Sequence, residues 1–262
     1  MDLAVDGRKV FASTGGRPFD PGRPVVVFIH GAGMDHTAWM LQARYFAHHG
    51  RSILSVDLPG HGRSAGPPLG TIPQLADWLL NLIDAAGAAN AALVGHSMGA
   101  LIALQAASQA PSKTWALALL GAAAKMPVHP DLLAAAAAND HAAVALIASW
   151  GYGRVAHLGG SRVPGAWMLG SGMRLLERAP GGALAASLAA CDAYTGAMAA
   201  ASKVICPALL LLGEIDRMTP PAGAREVGAQ IAGARTVVLP RTGHMMMVEQ
   251  PDQTIDALAE II

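Results

Sequence analysis

Gly95-His96-Ser97-Met98-Gly99 is the stretch that decides how this chain folds. It spells G-x-S-x-G. Ala91-Ala92-Leu93-Val94 precedes it as an apolar run of strand length, and Ala100-Leu101-Ile102-Ala103-Leu104-Gln105-Ala106-Ala107 follows as a helix-forming run. A serine on so tight a strand-to-helix turn has a strained backbone, and neighbouring chains must pass within a side chain's width of it; the two glycines leave that room. The turn then holds the Ser97 hydroxyl clear of the sheet at the mouth of a helix, where a nucleophile belongs. A bare G-x-S-x-G recurs by chance, and a serine in an ordinary strand–helix turn is the plain alternative. The flanking strand and helix favour the nucleophile.

Outward from this turn the chain alternates. Residues 25–29, 52–56, 115–120, 208–212 and 236–239 are short β-branched or leucine-rich runs without polar alternation, as strands buried on both faces are. Residues 39–47, 72–86 and 254–262 read as helices, the second with Leu75, Trp78, Leu79, Leu82 and Ile83 at helical spacing. Strands alternating with helices predict an α/β protein with a mostly parallel central sheet covered on both faces. Between Leu120 and Ala208 no strand is evident, and the gap is too long for a connection inside a compact sheet. It reads as helices over 131–150, 174–178 and 183–200 with a Gly- and Pro-containing loop over 151–172. The expected organisation is a core of residues 1–124 and 204–262 with a helical cap, 125–203, inserted over the sheet.

Composition narrows the partners. Of 262 residues 53% are hydrophobic and 14% charged, so a sizeable core is expected and disorder is not. The net charge is zero with no basic run, which argues against nucleic acid or an anionic membrane surface. Cys191 and Cys206 are too few for a disulfide framework, and the ten histidines show no paired ligand spacing, so no metal site is expected. The amino-terminal residues lack the apolar stretch of a signal peptide, and no run reaches membrane-spanning length. A cytoplasmic protein without stable membrane association is the expectation; its oligomeric state is not legible.

A serine hydroxyl needs a base, and the base needs a carboxylate to orient it. His244 follows the last strand. Glu214 and Asp216 both follow the strand before it. These loops lie at the carboxyl ends of parallel strands, where open α/β sheets place their sites.

With these blocks in place the chain resembles the α/β-hydrolase superfamily over essentially its whole length. The resemblance rests on His30-Gly31-Ala32-Gly33, on Asp57-Leu58-Pro59-Gly60-His61-Gly62-Arg63-Ser64, on the Ser97 turn, and on the Asp216 and His244 loops. It implies Ser97 as nucleophile, His244 as general base and acid, and Asp216 rather than Glu214 as the orienting carboxylate. It implies an oxyanion hole from the backbone N–H groups of Met98 and Ala32, and no cofactor. Asp57 is expected to hold its turn by hydrogen bonds. Serine at the turn points to acyl transfer through an acyl-enzyme.

The expected activity is hydrolysis of small to medium carboxylic esters. Thioesters, lactones and ring-fission diketones, whose C–C bond the same triad can cleave, stay open; the loop 30–35 lacks the proline of the C–C hydrolases. A non-catalytic small-molecule receptor on the same fold is the alternative of another class. Candidate substrate contacts are Met34, Trp39, Met126, Trp150, Trp167, Met168, Met218 and Met245, of which Met34, Met218 and Met245 adjoin the site in sequence. Many of the eight are as well explained by core packing. Cap residues Arg154, His157, Arg162, Arg174 and Arg178 could meet a substrate carboxylate or phosphate.

Overall fold

The computed structural model describes residues 1–161 and 164–262. In chain order the strands are β1 (Asp2–Val5), β2 (Arg8–Ser13), β3 (Val25–Ile29), β4 (Ser52–Val56), β5 (Ala91–His96), β6 (Thr114–Leu120), β7 (Ala208–Gly213) and β8 (Arg235–Leu239). They form one sheet in the order β1-β2-β4-β3-β5-β6-β7-β8. β1 and β2 pair antiparallel, β2 pairs antiparallel with β4, and the remaining pairs are parallel. The amino-terminal hairpin is an addition to the sequence reading. Its turn is Asp6-Gly7, with φ of 49° and 71°, the backbone a tight two-residue hairpin needs.

The helices are α1 (Met40–His48), α2 (Ile72–Ala85), α3 (Met98–Gln109), α4 (Pro130–Ala137), α5 (His141–Gly151), α6 (Arg154–His157), α7 (Met168–Glu177), α8 (Ala183–Ala193), α9 (Ala197–Ala201), α10 (Pro221–Gln230), α11 (Met246–Glu249) and α12 (Pro251–Ala259). β3 shows how the two faces are filled. Val25, Val27 and Ile29 join one cluster with α2 and α3, while Val26 and Phe28 join the other with Trp39, Phe46 and Leu258. Both sets are apolar, so the strand shows no alternation. α2 starts at Thr71, whose hydroxyl accepts from the Gln74 N–H at 3.3 Å, and buries Leu75, Trp78, Leu79, Leu82 and Ile83. Each large side chain so buried is worth about 1.5–3 kcal/mol. α3 is buried on every side over its first seven residues, Met98 to Leu104, and is apolar throughout them for that reason.

The excursion between β6 and β7 is helical, as its composition suggests. The loop expected over 151–172 contains α6 and the start of α7. α9 packs on α3 and α10, in the layer covering the sheet. Among the described residues no helix is long and apolar enough to cross a membrane.

From β3 the chain crosses to β4 on one side of the sheet and then returns to β5 on the other. The two loops leaving β3 and β5 therefore diverge and open a crevice at the carboxyl edge. Open α/β sheets bind ligands at such a switch point.

Candidate active site

Ser97 leaves β5 with φ 54° and ψ −118°, a conformation that costs a non-glycine residue about 1–3 kcal/mol. The surroundings hold it there. Its N–H donates to the Leu120 carbonyl at 2.8 Å, and its carbonyl accepts the Ala100 N–H at 2.9 Å. A Cβ on Gly95 would strike the Gly99 carbonyl, and one on Gly99 the Ile29 carbonyl. Alanine at 95 would push β5 off the start of α3, and alanine at 99 would push α3 off β3. The Met98 N–H stands at the first position of α3, with no intrahelical acceptor. Ala32 lies across the crevice in the loop after β3, on the wall of the same cavity as Ser97.

His244 sits beyond β8, 1% exposed over the whole residue counting its ring. Its Nδ1 lies 2.7 Å from Asp216 Oδ2. A carboxylate only accepts, so Nδ1 carries the proton and Nε2 keeps its lone pair. Asp216 also accepts from the Met218 N–H at 2.8 Å, the Thr219 N–H at 2.9 Å and the Thr219 hydroxyl at 2.7 Å. Burial pushes its carboxyl up, but the His244 charge and these hydrogen bonds outweigh it and hold the group below the usual carboxylate range. Glu214 is elsewhere: its Oε2 accepts the Arg241 N–H at 2.7 Å on the exposed side of the loop.

Two further residues position His244. The His96 Nε2–H donates to the His244 carbonyl at 2.9 Å. Burial first, then the charge of His244, drives the His96 pKa down to about 3, so the ring is neutral. Its Nδ1 has no partner among the described residues. Glu249 accepts from the Gly153 N–H at 2.8 Å, the Gly243 N–H at 3.1 Å and the Met245 N–H at 3.2 Å. Burial raises its pKa against the pull of those three donors and of His244. The sequence reading passed over Glu249; its signal was a lone acid closing the apolar run 245–248.

Ser97 and His244 share a cavity of about 350 Å³. Of the eight expected substrate contacts, Met34, Met126, Trp150, Met218 and Met245 line it. Three need correction. Trp39 is 0% exposed and packs its ring 5.1 Å from that of Phe28, beneath the crevice. The short helical turn at 36–39 points it into the sheet. Trp167 is 66% exposed, on the outer side of α7 over Gly170. Met168 is buried but lines a second cavity with Tyr152 and Leu176, which shares only its Met34 and Met245 wall with the first. His129, Leu188, Cys191, Arg217 and Thr219 also line the site cavity and were not expected there. Cys191 offers no rival nucleophile: burial and then Asp192 push its thiol up to about 12.

Asp35, His36 and Asp57 form the one cluster among the described residues with metal-ligand spacing. Its oxygens already have donors. Asp57 takes the His36 N–H and Nδ1–H and the Arg63 N–H, which fulfils its expected turn-holding role. Asp35 takes Thr37 and Arg178.

The comparisons with known proteins agree with this architecture. The model of the Alpha/beta hydrolase family matches residues 26–257. The chain belongs to that family and is a hydrolase by class. A Klebsiella pneumoniae protein assigned as the carbamate hydrolase RutD is 30% identical over 254 residues, 88% of each chain. The structure of the enol-lactonase from Burkholderia xenovorans LB400 superposes with a TM-score of 0.88 at 26% identity, covering 100% of this chain and 99% of that one. A further relative matches only locally. It is the dihydrolipoyllysine-residue acetyltransferase component of the acetoin cleaving system of Cupriavidus necator, 37% identical over 118 residues. That match takes in 44% of this chain and 30% of the relative's length.

Proposed function

We propose that the protein is a serine hydrolase that cleaves carboxylic esters of small to medium substrates through an acyl-enzyme. Ser97 attacks the ester carbonyl while His244 Nε2 takes its proton. The oxyanion is held by the N–H groups of Met98 and Ala32, the first reinforced by the positive end of α3. His244 returns the proton to the leaving alcohol. Water, activated by the same imidazole, then releases the acid and restores Ser97. Asp216 keeps the imidazole in the required tautomer and stabilises its charged form. No step calls for a cofactor. Within residues 125–203, helices α4 to α8 serve as a cap. The observation that carries this reading is the single cavity shared by Ser97 and by a histidine whose Nδ1 is committed to a buried carboxylate.

A cavity of about 350 Å³ suits small substrates and argues against long-chain triglycerides. A lactone is a cyclic ester, so the likeness to an enol-lactonase supports the same chemistry; carbamates differ only in the atom beside the carbonyl. The test is the initial rate on p-nitrophenyl esters from acetate to palmitate, beside the Ser97→Ala protein. Turnover that peaks at short or medium chains and vanishes in the variant is expected. Near-wild-type turnover by Ser97→Ala overturns the assignment. Failure of a fluorophosphonate to label folded protein favours a receptor instead.

A further inference from the structure

The cap's basic residues fall into two groups. Arg174 is 2.7 Å from Glu177 Oε2 and Arg178 is 3.0 Å from Asp35 Oδ2, so both are neutralised locally. Arg162 lies outside the described residues. Arg154 and His157, on α6, carry no ion pair among the described residues. They line an open depression beside the Asp216 loop, and its third basic side chain is Arg217. The one carboxylate in that lining is Asp216. It is 5% exposed and already accepts four hydrogen bonds, so it does not balance the three bases. The exposed Ser149 adds a hydroxyl donor.

Arg217 belongs to two walls at once. It lines the depression and also the cavity that holds Ser97 and His244. Arg217 thus places a cation between the cavity that holds Ser97 and the basic floor. The depression adjoins the Asp216 side of the site, from which His244 delivers its proton to the leaving group. We propose that Arg154, His157 and Arg217 form an anion subsite for a carboxylate or phosphate carried on the leaving-group side of the substrate. This rests on the ester reading above. The acyl–oxygen bond breaks, the alkoxide takes the proton from His244, and an anionic alcohol departs across the depression. Planar guanidinium forks suit either anion, and solvent exposure keeps each contact modest.

Two experiments test the proposal. In the first, inorganic pyrophosphate or succinate is titrated into the full chain while the His157 ring and arginine Nε resonances are followed by NMR. A saturable shift, lost in Arg154→Gln/Arg217→Gln, is expected. Saturation by pyrophosphate alone identifies a phosphate, and by succinate alone a carboxylate; no saturable shift with either overturns the site. In the second, kcat/KM is compared for butyrate esters of phenol, of 4-hydroxybenzoate and of 4-hydroxyphenyl phosphate. The anionic-to-neutral ratio should fall by about tenfold in Arg154→Gln, chiefly through KM, as for loss of one exposed charge-assisted contact. An unchanged ratio overturns the leaving-group assignment. If the anions bind but no ester is turned over by wild-type protein, the ester reading falls and the anion site stands.

Discussion

Acidification should weaken this protein well before its carboxylates are titrated, because two histidines are buried neutral around the site. Burial, then the charges of neighbouring histidines, lowers His96 to about 3 and His30 to about 4. His30 uses both ring nitrogens: Nδ1 faces the Gly31 carbonyl at 2.8 Å and Nε2 accepts the Leu58 N–H at 3.1 Å. A second proton would point at a donor. Both folded values lie below the ordinary 6.5 of the unfolded chain. Their contribution to stability is therefore whole above about pH 6.5 and drains away as the pH falls toward the folded values. Through that window the unfolded chain binds about two more protons, a slope near 3 kcal/mol per pH unit once both unfolded imidazoles are charged. Integrated from pH 7 to pH 5 the loss is about 4 kcal/mol, a large part of the roughly 5–15 kcal/mol that holds a domain folded. His61, also lowered by burial, adds to it; Glu249, raised by burial, gains a proton in the fold and offsets part at the lower end. Urea unfolding at pH 7, 6 and 5 measures this directly. A midpoint that stays flat across the range refutes the buried-neutral assignment.

Other expectations are specific to single residues. Ser97→Gly should abolish ester turnover yet raise thermal stability by about 1 kcal/mol, because relief of the strained φ exceeds glycine's entropic cost; a lower melting temperature would contradict the strain. Asp216→Asn should lower kcat by about 10⁴, since an amide no longer selects the Nδ1–H tautomer, while Glu214→Gln stays near wild type. The reverse pattern would move the acid to Glu214. Glu249→Gln should cost about 2–4 kcal/mol in chemical denaturation through lost charge-assisted bonds to buried N–H groups, and an unchanged midpoint would show that solvent already satisfies them.

The sheet was legible where burial on both faces left the strands unbroken and apolar, as in Val25–Ile29 and Ser52–Val56. β1 and β2 escaped because they run along the edge, where exposed residues such as Arg8 and Lys9 hide the pattern; the Asp6-Gly7 pair was the available sign. The candidate triad could be read because each member follows a strand, so chain order fixes its place in space. The cavity wall could not. Trp39, Trp167 and Met168 are all large and apolar, and only packing decides whether such a side chain faces the sheet, solvent or a cavity. Arg217 was hidden for the opposite reason: a charge beside Asp216 gives no hint from sequence that it borders two hollows.

The attachment of Gly151–Gly153 to the His244 loop has a mechanical consequence. The His244 N–H donates to the Gly151 carbonyl at 2.8 Å, and Glu249 grips Gly153 together with Gly243. This segment is anchored, and prying it upward would drag the proposed general base, His244, away from Ser97. An opening that leaves His244 in place would therefore lift the opposite arm, near Met126 and His129 on the cavity wall. Displacement of Gly151–Gly153 itself would interrupt the proposed catalysis for as long as it lasted.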